Sequence, residues 1–323
     1  MSRSNLVLPR LNDAEGVLRI VVFDADNRQG ADWAPEHAMG SGLGSGDSRG
    51  FVAESILIVS PSGETMLIDA AWNSGYSDPK WGGTTYGQNP IAGFLKQRGI
   101  GAIDWMVMSH LHRDHSSGIR ELVMSEDIKV GHVLWSQIPE EKLKETDPET
   151  AAGYVELRQG IEEGCVLKGV RVVEAVEGQM IDLGDGVQCE VLSTARPELD
   201  ADSYLNNNCV VIRLTYGAFT MLLMADAGFV QEERIMALGR DLATDVLKVG
   251  HHAGANSTGD AWVEALDAQI GVASMPRWLS EDERGIRVYD QLSASGMKLY
   301  RTWEHGHIEI QTDGPEFWVL TER

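Results

Sequence analysis

The stretch SHLHRDHSSG, residues 109–118, packs three histidines and an aspartate into the six residues from His110 to His115, directly behind the apolar run Trp105-Met106-Val107-Met108. Such a run reads as a buried strand, so the polar cluster must sit where that strand leaves the core. His110 and His112 stand two apart, and extended backbone then projects both imidazoles from one side, where they can grip a single metal ion. Asp114 and His115 follow across a turn and point elsewhere, toward a second ion nearby. Ser116 and Ser117 are placed to open a helix over residues 118–122.

The remaining chemistry lies in the second half of the chain. Residues 209–216 and 219–224 form two apolar runs around a Gly217-Ala218 turn, which predicts a hairpin that ends at Met224-Ala225-Asp226. A carboxylate at the tip of a buried strand is costly unless a cation or donors satisfy it. Asp226 bridging two metal ions would have its partners. Residues 245–249 read as a strand running into Gly250-His251-His252. Adjacent residues on a strand point to opposite sides, so one of the pair is expected to be a ligand, with His251 favoured over His252. The other is then placed as a proton donor or substrate contact. The expected ligand sets are His110, His112 and Asp226 for one ion, and Asp114, His115, Asp226 and His251 for the other. The alternative role for Asp114 is to orient the attacking water. This nitrogen and oxygen set suits two divalent ions, zinc first, with manganese or iron also compatible. His37, His132, His305 and His307 are expected to be surface or packed histidines.

With 49 Asp and Glu against 27 Lys and Arg, the chain carries a net charge of -22. A protein that grips long duplex nucleic acid presents a basic face, so such a partner is not expected. A small-molecule or short phosphate-ester substrate fits better, because two divalent ions facing two carboxylates make a locally positive pocket. Cys165, Cys189 and Cys209 are widely spaced, which indicates neither a disulfide framework nor a thiolate metal site. No apolar run approaches the ~20 residues of a membrane helix. The start of the chain lacks a small-residue cleavage site, so a cytoplasmic location is expected. Nothing in the pattern speaks to oligomeric state.

Strands are expected at 17–24, at 55–59 and 66–70 as a hairpin, and at 130–135, 170–175 and 187–192. Helices are expected at 90–98, stopped by Gly99, at 149–163 and at 231–238. Two long loops interrupt this series. The first, at about 25–50, is glycine-rich and reads as a flexible lid or a plain insertion; the second, at about 72–90, holds Trp72, Tyr76, Trp81 and Tyr86. Strands alternate with helices twice over and no linker separates the halves. The expectation is one α/β domain, 1–323, with two comparable halves facing each other.

HLHRDH behind a buried strand resembles the signature of the metallo-beta-lactamase fold superfamily. The blocks FDAD, ESILIVSPSGETMLIDA, YLNNNCVVIRLTYGAFTMLLMADA, DVLKVGHHAGANST and LYRTWEHGHIEIQTDG, spread from Val21 to Gly314, resemble in order the hydrolase domain of ComEC-type competence proteins. The resemblance implies a metallo-beta-lactamase-like αβ/βα sandwich of two facing mixed sheets with outer helices. It also implies that Asp69, in LIDAA, lies under the metal site and orients a ligand. The chain departs from the pattern in three places: the compact opening block is split by the 25–50 insertion, His251-His252-Ala253-Gly254 replaces HHGS, and MPRWLSEDERGIR stands where another histidine block is usual. Where many members carry a further metal-binding histidine before the Asp226 hairpin, this chain has Asn206, Asn207 and Asn208. The implied activity is hydrolysis by a metal-bound hydroxide, foremost as a phosphodiesterase or nuclease-like enzyme. The alternatives are hydrolysis of a small carboxylic ester, lactone or amide, and a non-catalytic metal-binding partner protein.

Overall fold

The computed structural model describes residues 16–25, 52–71 and 90–323. The expected loops at about 25–50 and 72–90, and with them His37, Trp72, Tyr76, Trp81 and Tyr86, lie almost wholly outside the described residues. The first sheet is built from β1 (Leu18–Val22), β2 (Ile56–Val59), β3 (Thr65–Ile68), β4 (Ala102–Met108), β5 (Lys129–Trp135) and β6 (Arg171–Glu174). The second is built from β7 (Met180–Asp182), β8 (Val187–Ser193), β9 (Val211–Tyr216), β10 (Phe219–Leu223), β11 (Val246–Lys248), β12 (Ile270–Ala273) and β13 (Lys298–Arg301). A last hairpin, β14 (Ile308–Thr312) and β15 (Phe317–Thr321), completes the first sheet, giving the orders β15-β14-β1-β2-β3-β4-β5-β6 and β13-β12-β11-β10-β9-β8-β7.

The two-residue period of a strand sorts its side chains between layers. On β1, Leu18, Ile20 and Val22 point inward to a core shared by both sheets, where they meet Val191, Ile212, Leu214 and Met221, while Val21 points to the outer layer. The outer face of the first sheet is covered by the helices Pro90–Gln97, Ile119–Met124 and Ala151–Lys168, through Leu95, Leu122, Leu157 and Ile161. The outer face of the second is covered by Phe229–Ala237, Asp260–Leu266 and Glu283–Ala294, through Ile235, Trp262, Leu266, Val288 and Leu292. This is the α/β sandwich of two facing mixed sheets, with parallel pairing from β3 to β6 and from β10 to β13.

The expected strands and the helix at 90–98 appear within a residue or two of their predicted bounds. The helix expected at 149–163 runs over Ala151–Lys168, because Gly169 takes a left-handed conformation and caps Cys165 and Val166. The picture of two facing halves changes at the C-terminus. The chain returns from the second sheet to the first, where β14 pairs antiparallel with β1, Ile310 opposite Ile20. The free edge of β1 would otherwise expose a row of unpaired backbone groups, and the last strands close it. The three cysteines are free and buried, and no helix among the described residues is long and apolar enough to cross a membrane. His132 stacks on Trp105 with ring centroids 4.4 Å apart, and the Nδ1 of buried His307 accepts from the Asp24 amide at 2.9 Å, so both are packing residues.

Ile310 is fully buried between the sheets. Ile310→Ala is expected to cost about 2–5 kcal/mol of unfolding free energy, because it leaves a cavity in a layer with little freedom to collapse; urea unfolding monitored by tryptophan fluorescence measures it.

Candidate metal centre

The two sheets bring their strand ends to one place. From the first sheet, β4 ends at Met108 and delivers Ser109, His110 and His112, and the short helix Arg113–Ser116 carries Asp114 and His115. From the second, β10 ends just before Asp226, and β11 runs into the turn at His251 and His252. These side chains form two groups that share Asp226. In one, His110, His112 and Asp226 converge; in the other, Asp114, His115, Asp226 and His252; within each group the candidate ligand atoms lie within 4.8 Å of one another.

Asp226 divides its oxygens between them. Oδ2 lies 3.6 Å from His110 Nε2 and 3.7 Å from His251 Nε2, and Oδ1 lies 3.2 Å from His115 Nε2 and 3.3 Å from His252 Nε2. The carboxylate thus lies between the two groups. Its side chain is 2% exposed.

The adjacent histidines do not follow strand alternation. His251, His252 and Ala253 all have positive φ, 48°, 52° and 64°, and this left-handed turn swings both rings toward Asp226. Residues with side chains adopt this region at a cost, and they do so mainly where the surrounding structure holds them for a purpose. Gly250 starts the turn because a Cβ there would stand 2.8 Å from the Ala227 carbonyl oxygen. His252, expected as the proton donor, joins the group of Asp114 and His115, with its Nε2 3.5 Å from Asp114 Oδ2. His251, expected as the ligand, sits on the other side, beside His110, and its side chain is 26% exposed where that of His252 is 2% exposed.

Hydrogen bonds behind the rings fix which nitrogen of each faces the centre. Asp69 Oδ1 accepts from the Ser109 amide at 2.8 Å, and Oδ2 accepts from the Ser109 hydroxyl at 2.6 Å and from His115 Nδ1 at 2.7 Å. Having donated to Asp69, the Ser109 hydroxyl accepts from His110 Nδ1 at 3.0 Å. His252 Nδ1 donates to the Ser274 carbonyl at 2.8 Å, and His251 Nδ1 donates to Asn256 Oδ1. Four imidazoles therefore spend their Nδ1 hydrogen on the protein and turn Nε2 inward, the arrangement a metal-binding histidine requires. His112 turns its Nδ1 inward instead, 2.9 Å from His110 Nε2.

Electrostatics separate the rings into two kinds. Burial holds the imidazoles of His110 and His112 below the usual histidine range, which leaves them neutral and able to ligate. Burial also opposes charge on His115, but Asp226, Asp114 and Asp69 outweigh it and raise its pKa well above the usual value. For Asp226, burial is likewise outweighed, by His115, His252 and His251, and its carboxyl is held well below the usual range. Asp226 Oδ1 and Asn206 Oδ1 are both buried without a hydrogen-bond partner. Buried oxygens left without donors, opposite inward-facing imidazole nitrogens, fit divalent cations.

The sequence pattern did not point to Ser109, Ser274 or Asn256, whose roles depend on which ring they stand behind. Of the three asparagines, Asn207 and Asn208 serve the backbone, holding Asp202, Gln231, Leu199 and Tyr204. Asn206 faces the site, with its amide nitrogen 3.0 Å from His251 Nε2.

Residues 49–169 match the model of the Metallo-beta-lactamase superfamily. The chain is 26% identical over 250 residues to "ComE operon protein 3" of Bacillus subtilis (strain 168), an alignment covering 76% of this chain and 30% of that protein. The chain thus spans about 30% of the length of that relative. Among solved structures it is similar to a diphosphatase from the PhnP family, with a TM-score of 0.46, 15% identity and 94% and 99% of the two chains covered. It is also similar to Zn2+-bound PqqB from Methylobacterium extorquens, with a TM-score of 0.44, 12% identity and 87% and 97% covered.

The loop that follows the histidine turn is held by Glu232, which is 1% exposed and accepts from the amides of Thr258 and Gly259 at 2.5 and 2.9 Å. Burial pushes its carboxyl up from 4.5 to about 7, against the pull of those two amides. At this group the folded chain therefore binds more protons than the unfolded chain between about 4.5 and about 7. Stability from this group is present below that window and lost as pH rises through it. The loss, on the order of 2–3 kcal/mol between pH 5 and pH 8, is expected to disappear in Glu232→Gln when urea midpoints of the metal-free proteins are compared.

Proposed function

We propose that the chain, whose residues 49–169 match the model of the Metallo-beta-lactamase superfamily, is a metal-dependent hydrolase with two divalent ions, foremost zinc. We assign it a phosphodiester substrate that is small or short rather than a long duplex. The observation that carries the reading is the convergence of inward-facing imidazole nitrogens on the two oxygens of one buried carboxylate. The net charge of -22 supports a small or short substrate, because it repels long nucleic acid.

Bound divalent ions would lower the pKa of a shared water to about 7 and neutralise charge building on the attacked phosphoryl group. His110, His112 and Asp226 would hold one ion, and Asp114, His115, Asp226 and His252 the other. The chain's own contribution is placement. Asp226 fixes the spacing of the two groups, and Asp69 locks the tautomers of His115 directly and of His110 through Ser109. Asp114, with a side chain 21% exposed, is the member of its group that reaches toward solvent, where it can orient the attacking water. His251, the more exposed of the adjacent pair, is placed to meet substrate and to pass a proton to the leaving oxygen.

Two outcomes follow for the adjacent histidines. His252→Ala is expected to lose one equivalent of metal, read by elemental analysis. His251→Ala is expected to keep both and to lose about 10²–10⁴-fold in kcat. The reverse pattern would exchange their roles.

The substrate assignment is tested with the zinc- and manganese-loaded protein on a panel of aryl phosphodiesters, dinucleotides, single-stranded and duplex DNA, lactones and carboxylic esters. Turnover of the small phosphodiesters that a chelator abolishes, and that Asp226→Ala lacks, is the expected result. Metal-dependent cleavage of a lactone or ester with no phosphodiester turnover would replace this reading with its carboxylic rival.

A further inference from the structure

Beneath the centre lies a buried ion pair outside the two groups that share Asp226. Glu54, just ahead of β2 in the first sheet, and Lys248, the last residue of β11 in the second, have fully buried side chains with Lys248 Nζ 2.6 Å from Glu54 Oε2. A buried pair of this kind is often no more stabilising than apolar residues of the same volume, so its presence calls for a reason other than stability.

The neighbours of the pair supply one. On the first sheet, the Glu54 amide donates to the Asp114 carbonyl at 3.0 Å, and the Ala71 amide donates to the Glu54 carbonyl at 2.9 Å. The Ser55 hydroxyl next to it donates to the Asp69 carbonyl at 2.8 Å. Glu54 is thereby tied to the backbone of the turn that carries Asp114 and His115, and its carboxylate lies close to Asp69 and His115. On the second sheet, Lys248 Nζ also donates to the Val249 carbonyl at 2.9 Å, two residues before His251. Glu54 Oε2 lies 3.9 Å from His252 Nδ1, behind that ring rather than in front of it. The pair spans the gap between the two backbones that must meet around the second ion. Glu54 Oε2 faces the lysine, which offsets its charge, while Oε1 is buried without a hydrogen-bond partner.

We propose that Glu54 and Lys248 are positioning residues that set the distance between the Asp114–His115 turn and the His251–His252 turn, and with it the affinity of the group formed by Asp114, His115, Asp226 and His252. The group of His110, His112 and Asp226 draws both histidines from one strand end, and none of its three members is hydrogen-bonded to the pair. The proposal rests on the reading that both groups bind a divalent ion.

The test is cobalt(II) titration of the metal-free protein with a competing chelator, read by visible absorption, for the wild type and for Glu54→Gln/Lys248→Met, in which no buried charge is left unpaired. The wild type is expected to take up two equivalents. The double variant is expected to unfold at a wild-type temperature and to keep one tight equivalent. Its second equivalent should be weakened about 10–100-fold, with an altered absorption band. Lys248→Arg, which keeps the charge and changes the length of the bridge, is expected to weaken the second equivalent alone. Two equivalents of unchanged affinity and spectrum in the double variant, or in Lys248→Arg should the double variant fail to fold, would overturn the proposal while leaving the metal centre standing. A wild-type protein that takes up no cobalt would overturn both.

Discussion

The carboxylate of Asp226 is buried between two sheets with one oxygen that accepts no hydrogen bond. A charge in that position is tolerated only if a cation or donors face it, and the inward-facing imidazole nitrogens on both sides can share such a cation with it or donate to it. Much else at this end of the sandwich is a consequence. β4, β10 and β11 must end within reach of the same point. The histidine turn must adopt a left-handed backbone to bring both rings there. The rings must be held from behind so that Nε2 of four of them, and Nδ1 of His112, point inward.

The holding is done largely by groups that are unremarkable in the sequence. Asp69 carries the most, because one carboxylate orients His115 directly and His110 through the Ser109 hydroxyl. Its own burial raises its pKa, and the His115 ring and Ser109 pull it back. The Ser274 carbonyl and Asn256 do the same work for His252 and His251 from the second sheet. Each sheet therefore both contributes ligand atoms and fixes their direction, and the site exists only where the two are in register.

The placement of His252 and His251 shows where reasoning from one strand reaches its limit. Alternation along a strand assigns two neighbours to opposite faces, and it would have held had the strand continued. β11 stops at Lys248, and a positive-φ turn replaces alternation with a tight curve that presents both side chains to Asp226 from different angles. The more buried ring then falls beside Asp114 and His115, and the more exposed one beside His110.

HLHRDH after an apolar run, an aspartate at a hairpin's end and paired histidines after a short strand were legible from residue order, because strand period and the cost of a buried charge act locally. The same local rules sorted the inner from the outer side chains of β1. Three features were not legible in that way: the return of β14 to the edge of β1, the partners behind each ring, and the junction of Glu54 with Lys248. Most of these contacts join residues far apart in the chain, Asp24 to His307, Asp69 to His115 and Glu54 to Lys248 among them. Local spacing specifies which chemistry a segment can offer; only the packing of one sheet on the other decides which atoms of distant segments meet.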